Sequence, residues 1–383
     1  GSYLMALKKI AQQIGFDLPF YTRTGWPELK TPVPFGEMLP LYGDYADGFW
    51  ERSLKETAGN YYKAFNFKAF RSSTAIATEQ LGKQEAKINK GDEAYPYFTC
   101  ELGGGMMTSY HRRPYIYPED AYSLAIVKLG SGSNLLGYYM YHGGTNPAAM
   151  MPGNLDDGSA VYLNENQRTQ ATNYNDMPVK TYDFQAPLGE FGQKNPHYFM
   201  LRKLHLFMHD YAEVLAPMES SFPCRQDIEK GDDSHLRWSL RSKDKSGFVF
   251  INNYERLQQL SAKKNVQFDV CGMKFPQRPM TVPAGAMCIF PVNIDGIRYA
   301  TAQLIAKRNG KIYLEQIKDI PTEIAVEGKV LKNVKAKGIA KPVYKNIYLV
   351  DSKTAEHLFL QEGGKSMMSL APSFKKIKEA ESV

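Results

Sequence analysis

Residues 97–106 read Tyr97-Phe98-Thr99-Cys100-Glu101-Leu102-Gly103-Gly104-Gly105-Met106. A short β-prone run ends in a carboxylate, and three glycines follow at once. Strand, acid and flexible turn, in that order, set a charged side chain at the open end of a scaffold, where backbone can approach a ligand closely. By itself the stretch also fits a strand-terminal glutamate beside a tight turn, because one acid followed by glycines is a weak motif. The elements on either side decide between the two.

Those elements alternate helix and strand. Leu4, Leu7, Ile10 and Ile14 recur at helical spacing over 3–14, and Gly15 is a stop signal. Residues 16–22 read as a strand. Asp47 can cap a helix running through Trp50 and Leu54. Residues 65–70 read as a weak strand or a loop, and 97–101 as a strand. Pro118-Glu119-Asp120 opens a helix, with proline in the first turn and acids at the positive end of the dipole, and Gly130 ends it. Residues 135–141 form the next strand. Residues 198–215 form a long amphipathic helix carrying Leu201, Leu204, Phe207, Met208 and Tyr211. This order predicts a parallel α/β sheet or barrel, with sites at the C-terminal ends of strands. Glu101 and residues 139–146 lie at such ends.

The pattern changes after Ala216-Pro217. Short strands separated by turn residues follow at 235–240, 247–252, 266–270, 287–292, 299–306, 311–316, 323–326 and 346–350. They predict an all-β, sandwich-like domain. The expected organisation is an α/β catalytic-type domain over 1–216, a β-sandwich-like accessory domain over 217–363 and a polar tail over 364–383.

Composition narrows the function. The net charge of +7 is spread along the 383 residues, which argues against a nucleic-acid partner. No run of some 18 apolar residues is present to span a membrane. The four cysteines form no CxxC or Cys/His cluster, so no metal and no cofactor is expected. Cys271 and Cys288 can pair within the second half, which spacing does not decide. The 25 tyrosines and 20 phenylalanines suit a sugar-binding pocket. Aromatic rings stack on sugar C–H faces, and phenols hydrogen-bond sugar hydroxyls. Oligomeric state is left open.

Three segments of the first half then carry a resemblance. They are Thr99-Cys100-Glu101-Leu102-Gly103-Gly104, Tyr138-Tyr139-Met140-Tyr141-His142-Gly143-Gly144-Thr145-Asn146, and Thr181-Tyr182-Asp183-Phe184-Gln185-Ala186-Pro187-Leu188-Gly189-Glu190-Phe191-Gly192. In this order they resemble the family 35 glycoside hydrolases, the retaining β-galactosidases. The resemblance is good to about residue 215 and weaker beyond. It implies the second half of a (β/α)8 TIM barrel, with Glu101 as the nucleophile at the end of the seventh strand. It also implies a carbohydrate substrate with terminal β-galactose and an extracytoplasmic setting.

Site roles follow from the same resemblance. Tyr139 would contact the sugar, with Tyr141 and His142 beside it. Tyr182 and Phe184 fall in the third signature. The family often has tyrosine at the Phe184 position, with its phenol aimed at the glycone or nucleophile, and Phe184 lacks that hydroxyl. Asp183 and Glu190 are expected to hold loops, as are Thr145 and Asn146. Where the family often has aromatics after the nucleophile, this chain has Gly103-Gly104-Gly105-Met106, which is expected to open one wall. His111-Arg112-Arg113 can meet an acidic or branched substrate, or form a solvated loop.

The family's acid/base glutamate lies in a motif like Asn-Glu-Tyr-Gly, often continued Gly-Ser-Tyr, and this chain begins Gly1-Ser2-Tyr3. The acid/base is therefore expected just upstream of Gly1, unless Gly1-Ser2 is a cloning scar. About four of the eight strands that close such a barrel are legible. Two other readings stay open: a non-catalytic carbohydrate-binding protein, and a related exo-glycosidase with a different sugar. Half a barrel leaves an open core and an unpaired sheet edge, so the chain alone is expected to be insoluble or inactive. Purified 383-residue protein that turns over β-galactosides would contradict this.

Overall fold

Three parallel strands lie side by side in the order β1 (Tyr21–Thr24), β2 (Leu39–Asp44), β3 (Thr99–Leu102). They belong to a computed structural model that describes residues 1–24, 34, 36–49, 59–73, 75–76, 94–149, 161–162, 177–178, 180–360 and 368–370. A fourth parallel segment follows β3 through bridges Phe98 to Leu135 and Leu102 to Tyr138. It is stitched by Thr99 N–H to the Leu135 carbonyl and Leu102 N–H to the Gly137 carbonyl, each 3.0 Å. The Thr99 hydroxyl also donates to the carbonyls of Leu135 and Gly137. The segment 135–141 therefore meets β3 through two isolated bridges rather than as the regular strand expected.

β2 was not legible because Pro40 removes a ladder donor. Pairing with β3 begins only at Tyr42, whose N–H donates to the Phe98 carbonyl at 3.0 Å. Pro40 lies before that point. The expected strand over 16–22 begins only at Tyr21, and 65–70 is no strand: a 3-10 turn, Gly59–Phe65, runs into irregular chain. The helix expected through Trp50 and Leu54 lies outside the described residues.

The chain divides into two compact units. Unit 1 comprises 1–198 with 225–232 and 255–258, and unit 2 comprises 199–224, 233–254 and 259–383. Helix α1 (Ser2–Gln13) opens unit 1 and buries none of its residues. Its apolar stripe of Tyr3, Leu7 and Ile10, continued by Ile14, is exposed. The Pro118–Gly130 helix is almost wholly buried and starts with a capping box, Tyr117 N–H donating to Asp120 Oδ2 at 2.8 Å.

Two buried charge clusters fix unit 1. Lys128 Nζ lies 2.8 Å from Asp44 Oδ2, with Lys68 at 3.9 Å. Burial opposes the Asp44 charge, but the two lysines overcome it and hold the carboxyl below its usual range. Burial lowers Lys68 to about 8 despite Asp44. In the second cluster, Arg256 reaches Asp47 Oδ2 at 3.1 Å, Asp120 Oδ2 at 2.7 Å and the Tyr115 carbonyl at 2.8 Å. Arg112 pairs with Asp47 Oδ1 at 2.7 Å. A guanidinium suits this role because its donors diverge in a fixed plane.

Unit 2 is dominated by a seven-stranded sheet. Its spatial order is Lys329–Leu331, Ile324–Val326, Ile297–Ala300, Met287–Ile294, Ser246–Asn252, Trp238–Lys243, Glu219–Ser221. The hairpin Lys263–Val270 with Met273–Val282 shares its core. Phe275 stacks on Tyr299 with centroids 5.0 Å apart, and Phe268 meets Trp238 edge-on at 5.1 Å. A three-stranded sheet of Gln303–Arg308, Lys311–Glu315 and Ile347–Val350 completes the unit. The strand expected over 299–306 is therefore two strands in different sheets. The helix expected over 198–215 breaks at Tyr211 into Pro196–Asp210 and Ala212–Leu215. Cys271 and Cys288 are separate thiols, not a disulfide. No described helix is long and apolar enough to cross a membrane.

Replacing Arg256 with alanine leaves Asp47 and Asp120 without their shared partner in the interior. The expected loss is about 3–5 kcal/mol, read from urea unfolding of the wild type and variant. An unchanged midpoint would show that the cluster is not structural.

Candidate active site

The register sets Gly43 of β2 against Glu101 of β3. Residues just past the end of β2 therefore stand beside the Glu101 side chain. Tyr45, only 2% exposed, is such a residue, and its hydroxyl donates to Glu101 Oε2 at 3.1 Å. Burial first, then the Glu101 charge and its hydrogen bond, then Tyr139 and Tyr182, hold the Tyr45 phenol well above its ordinary pKa. It stays protonated, and so stays a donor. Glu101 itself is half-buried.

Tyr139, Tyr182 and Phe184 gather in one aromatic cluster. The hydroxyls of Tyr139 and Tyr182 are hydrogen-bonded to each other. Phe184 meets the Tyr139 ring edge-on at 5.3 Å and stacks on Tyr182 at 5.7 Å. Phe184 is 3% exposed, so its surroundings give it a packing role beneath the two phenols. Tyr141 packs instead with Tyr138 and Tyr198, at 5.3 Å and 6.4 Å. His142 is exposed and its Nδ1 is bonded to the Gly143 carbonyl.

Close backbone contact brings the three signature segments together. A Cβ on Gly104 would collide with the Met140 carbonyl, and one on Gly105 with the carbonyls of Phe184 and Gln185. A Cβ on Gly143 would strike the Asp183 backbone. The glycines after Glu101 are buried, and Met106 with them. The expected open wall is therefore absent: the Tyr45 ring at Gly103, and protein backbone at Gly104 and Gly105, fill the space the missing side chains leave.

Polar side chains complete the lock. Gln185 donates to the carbonyls of Met106 (2.9 Å) and Pro114 (2.8 Å) and accepts from Ile116 N–H at 3.1 Å. Asp183 accepts from Glu190 N–H at 2.7 Å and from Gln185 N–H at 3.2 Å. The hydroxyls of Thr145 and Thr181 donate to the Glu190 carboxylate and hold its pKa below the usual range. Asp183, Glu190 and Thr145 thus hold loops. Asn146 ties its own N–H to the Lys180 carbonyl at 2.8 Å. Arg112 is committed to Asp47, and His111 Nε2 lies 2.7 Å from the Phe49 carbonyl. Both have partners within the protein, while Arg113 beside them is exposed.

Tyr45 is the residue that sequence reading missed. Recognition of β2 would have found it, because it immediately follows that strand and β2 neighbours the strand of Glu101.

Gly105→Ala tests the backbone lock. Gly105 is not in the left-handed region, so the collision with Phe184 and Gln185 is what opposes the change. We expect a loss of about 1–3 kcal/mol in urea unfolding. A variant as stable as wild type would mean that the contact yields freely.

Among the described residues, no group of three or more His, Cys, Asp or Glu side chains is placed to hold a metal ion. No curated protein matches the chain. Residues 40–208, which contain Glu101, Tyr139, Tyr182 and the glycines between them, match the model of glycosyl hydrolases family 35. The resemblance carried by the three signatures holds over that stretch: residues 40–208 are similar to glycosyl hydrolases family 35.

Proposed function

We propose that this is a retaining exo-β-galactosidase in which Glu101 is the nucleophile. The observation that carries the reading is the position of Glu101 within the family-matched stretch. It is the last residue but one of a parallel strand, is half-buried, accepts a phenolic hydrogen bond, and adjoins the Tyr139–Tyr182 pair through Tyr45. Tyr139 and Tyr182 are assigned to the galactosyl hydroxyls, with Tyr141 and His142 at the rim and Phe184 as their packing support.

In such an enzyme one carboxylate attacks the anomeric carbon while a protonated carboxyl about 5–5.5 Å away releases the aglycone. Glu101 forms the bond to carbon, and the leaving oxygen takes the bonding pair and the acid's proton. Water then reverses the roles and restores the starting configuration. We also assign the α/β unit to the second half of a (β/α)8 barrel. Four parallel segments in one spatial order support this, as does the exposed apolar stripe of α1, which a complete barrel would cover. The substrate is a glycan with terminal β-galactose, met outside the cytoplasm.

The test uses 2-deoxy-2-fluoro-β-galactosyl fluoride. Fluoride departs with the bonding pair and needs no acid, so labelling depends on the nucleophile alone. Peptide mapping should place the sugar on Glu101, and Glu101→Gln should take up none. A label on another residue, or galactoside binding without any label, would contradict the assignment.

A further inference from the structure

The chain leaving β3 reaches the Pro118–Gly130 helix along residues 110–117, and exposure alternates there. Arg113, Tyr115 and Tyr117 are exposed, while Pro114 and Ile116 between them are buried. Tyr110, ahead of them, is also exposed, and Tyr115 is 65% exposed. Apolar side chains scattered singly over a surface are ordinary, but rings gathered on one short stretch mark a contact surface. The sequence makes this stretch rigid. Pro114 and Pro118 restrict the residues before them to extended backbone, and Tyr117 has φ −75° and ψ 150°. Among the described residues no strand pairs with the stretch, and side chains satisfy its backbone instead. Gln185 donates to the Pro114 carbonyl at 2.8 Å and accepts from Ile116 N–H at 3.1 Å. Arg256 donates to the Tyr115 carbonyl at 2.8 Å. Tyr115 meets Tyr117 edge-on at 5.1 Å, and the Arg256 guanidinium lies 5.8 Å from the Tyr117 ring centroid. The rings are held without being covered, so a ligand that stacks on them orders little that is not already ordered.

Chemistry and position say what the strip takes. Phenol rings stack on the C–H faces of pyranoses, and their hydroxyls bond sugar hydroxyls. The stretch leaves β3 from its C-terminal end, the end that carries Glu101. Arg112 is committed to Asp47 and His111 to the Phe49 carbonyl, but Arg113 makes no ion pair or hydrogen bond among the described residues. A guanidinium keeps its charge at every working pH, so Arg113 favours an anion. The next exposed acid along the chain, Glu119, comes only after the last ring.

We infer that Arg113, Tyr115 and Tyr117, with Tyr110 ahead of them, bind the glycan chain that continues beyond the cleaved residue, and that this chain carries carboxylates, as a uronic-acid polymer does. The tyrosines stack on its pyranose rings and Arg113 pairs with a carboxylate. Continuity with the active site rests on the reading of Glu101 as nucleophile, whereas the affinity of the strip for an acidic sugar chain does not.

Calorimetry tests this with two probes of one length, an oligogalacturonate and its methyl ester. Neither has a terminal β-galactose to occupy the site at Glu101. The wild type should bind the acid about fivefold more tightly than the ester. Arg113→Gln should remove that preference, and Tyr115→Ala should weaken both probes about three- to tenfold. Both side chains are exposed, so the variants should unfold in urea at the wild-type midpoint. No binding by the wild type, equal affinity for the two probes, a preference that survives Arg113→Gln, or unchanged affinity in Tyr115→Ala overturns the inference. The expected binding in protein whose Glu101 is never labelled by the fluorosugar keeps the strip and overturns the nucleophile assignment instead.

Discussion

Bare backbone at Gly104, Gly105 and Gly143 is the constraint on which the site depends. These residues let three separate stretches of chain come into van der Waals contact: the end of β3, the turn at Met140, and the Asp183–Gln185 turn. A methyl group at any one would push these stretches apart. The phenols of Tyr139 and Tyr182 meet only because their parent segments meet. Polar bonds from Gln185 and Asp183 then fix what the close contact permits. The chemistry of the site is thus set by side chains that are absent as much as by those present.

Buried charge does the corresponding work below the site. Asp44 ends the strand that delivers Tyr45, and its carboxylate is held by Lys128 from the Pro118–Gly130 helix. Arg256 ties Asp47, two residues beyond Tyr45, to the first turn of the same helix through Asp120. Tyr45 therefore sits between two anchored acids. A side chain held on both sides has little freedom, and a fixed donor is what orients a carboxylate at low entropic cost.

Much of this was legible in the residues. Pro118-Glu119-Asp120 predicted a helix start, and the helix spans Pro118–Gly130 because proline, dipole and capping box agree locally. Many strands of unit 2 were legible instead as short apolar runs between turn residues, such as Ser246–Asn252, Met287–Ile294 and Ile347–Val350, and they are buried along most of their length. β2 was hidden because its proline contradicts strand chemistry, and only the late start of β3 pairing removes the conflict. Met273–Val282 was hidden for a similar reason, since Pro276 and Pro279 interrupt its run. The glycines were recognised as important but read with the wrong partner. A glycine tells that something comes close; only the packed chain tells that here it is the protein's own backbone. Tyr45 takes its meaning from a register between strands that begin 60 residues apart, at Leu39 and Thr99, so it becomes legible only once β2 is recognised.

We propose that Glu101, hydrogen-bonded by Tyr45, faces the anomeric carbon of a terminal galactosyl unit. A crystal structure of the protein with a galactose-configured inhibitor tests this. The anomeric centre should lie about 3–3.5 Å from a Glu101 carboxylate oxygen, with Tyr139 or Tyr182 on the sugar hydroxyls. An inhibitor bound away from Glu101, with that carboxylate facing only protein, would contradict it.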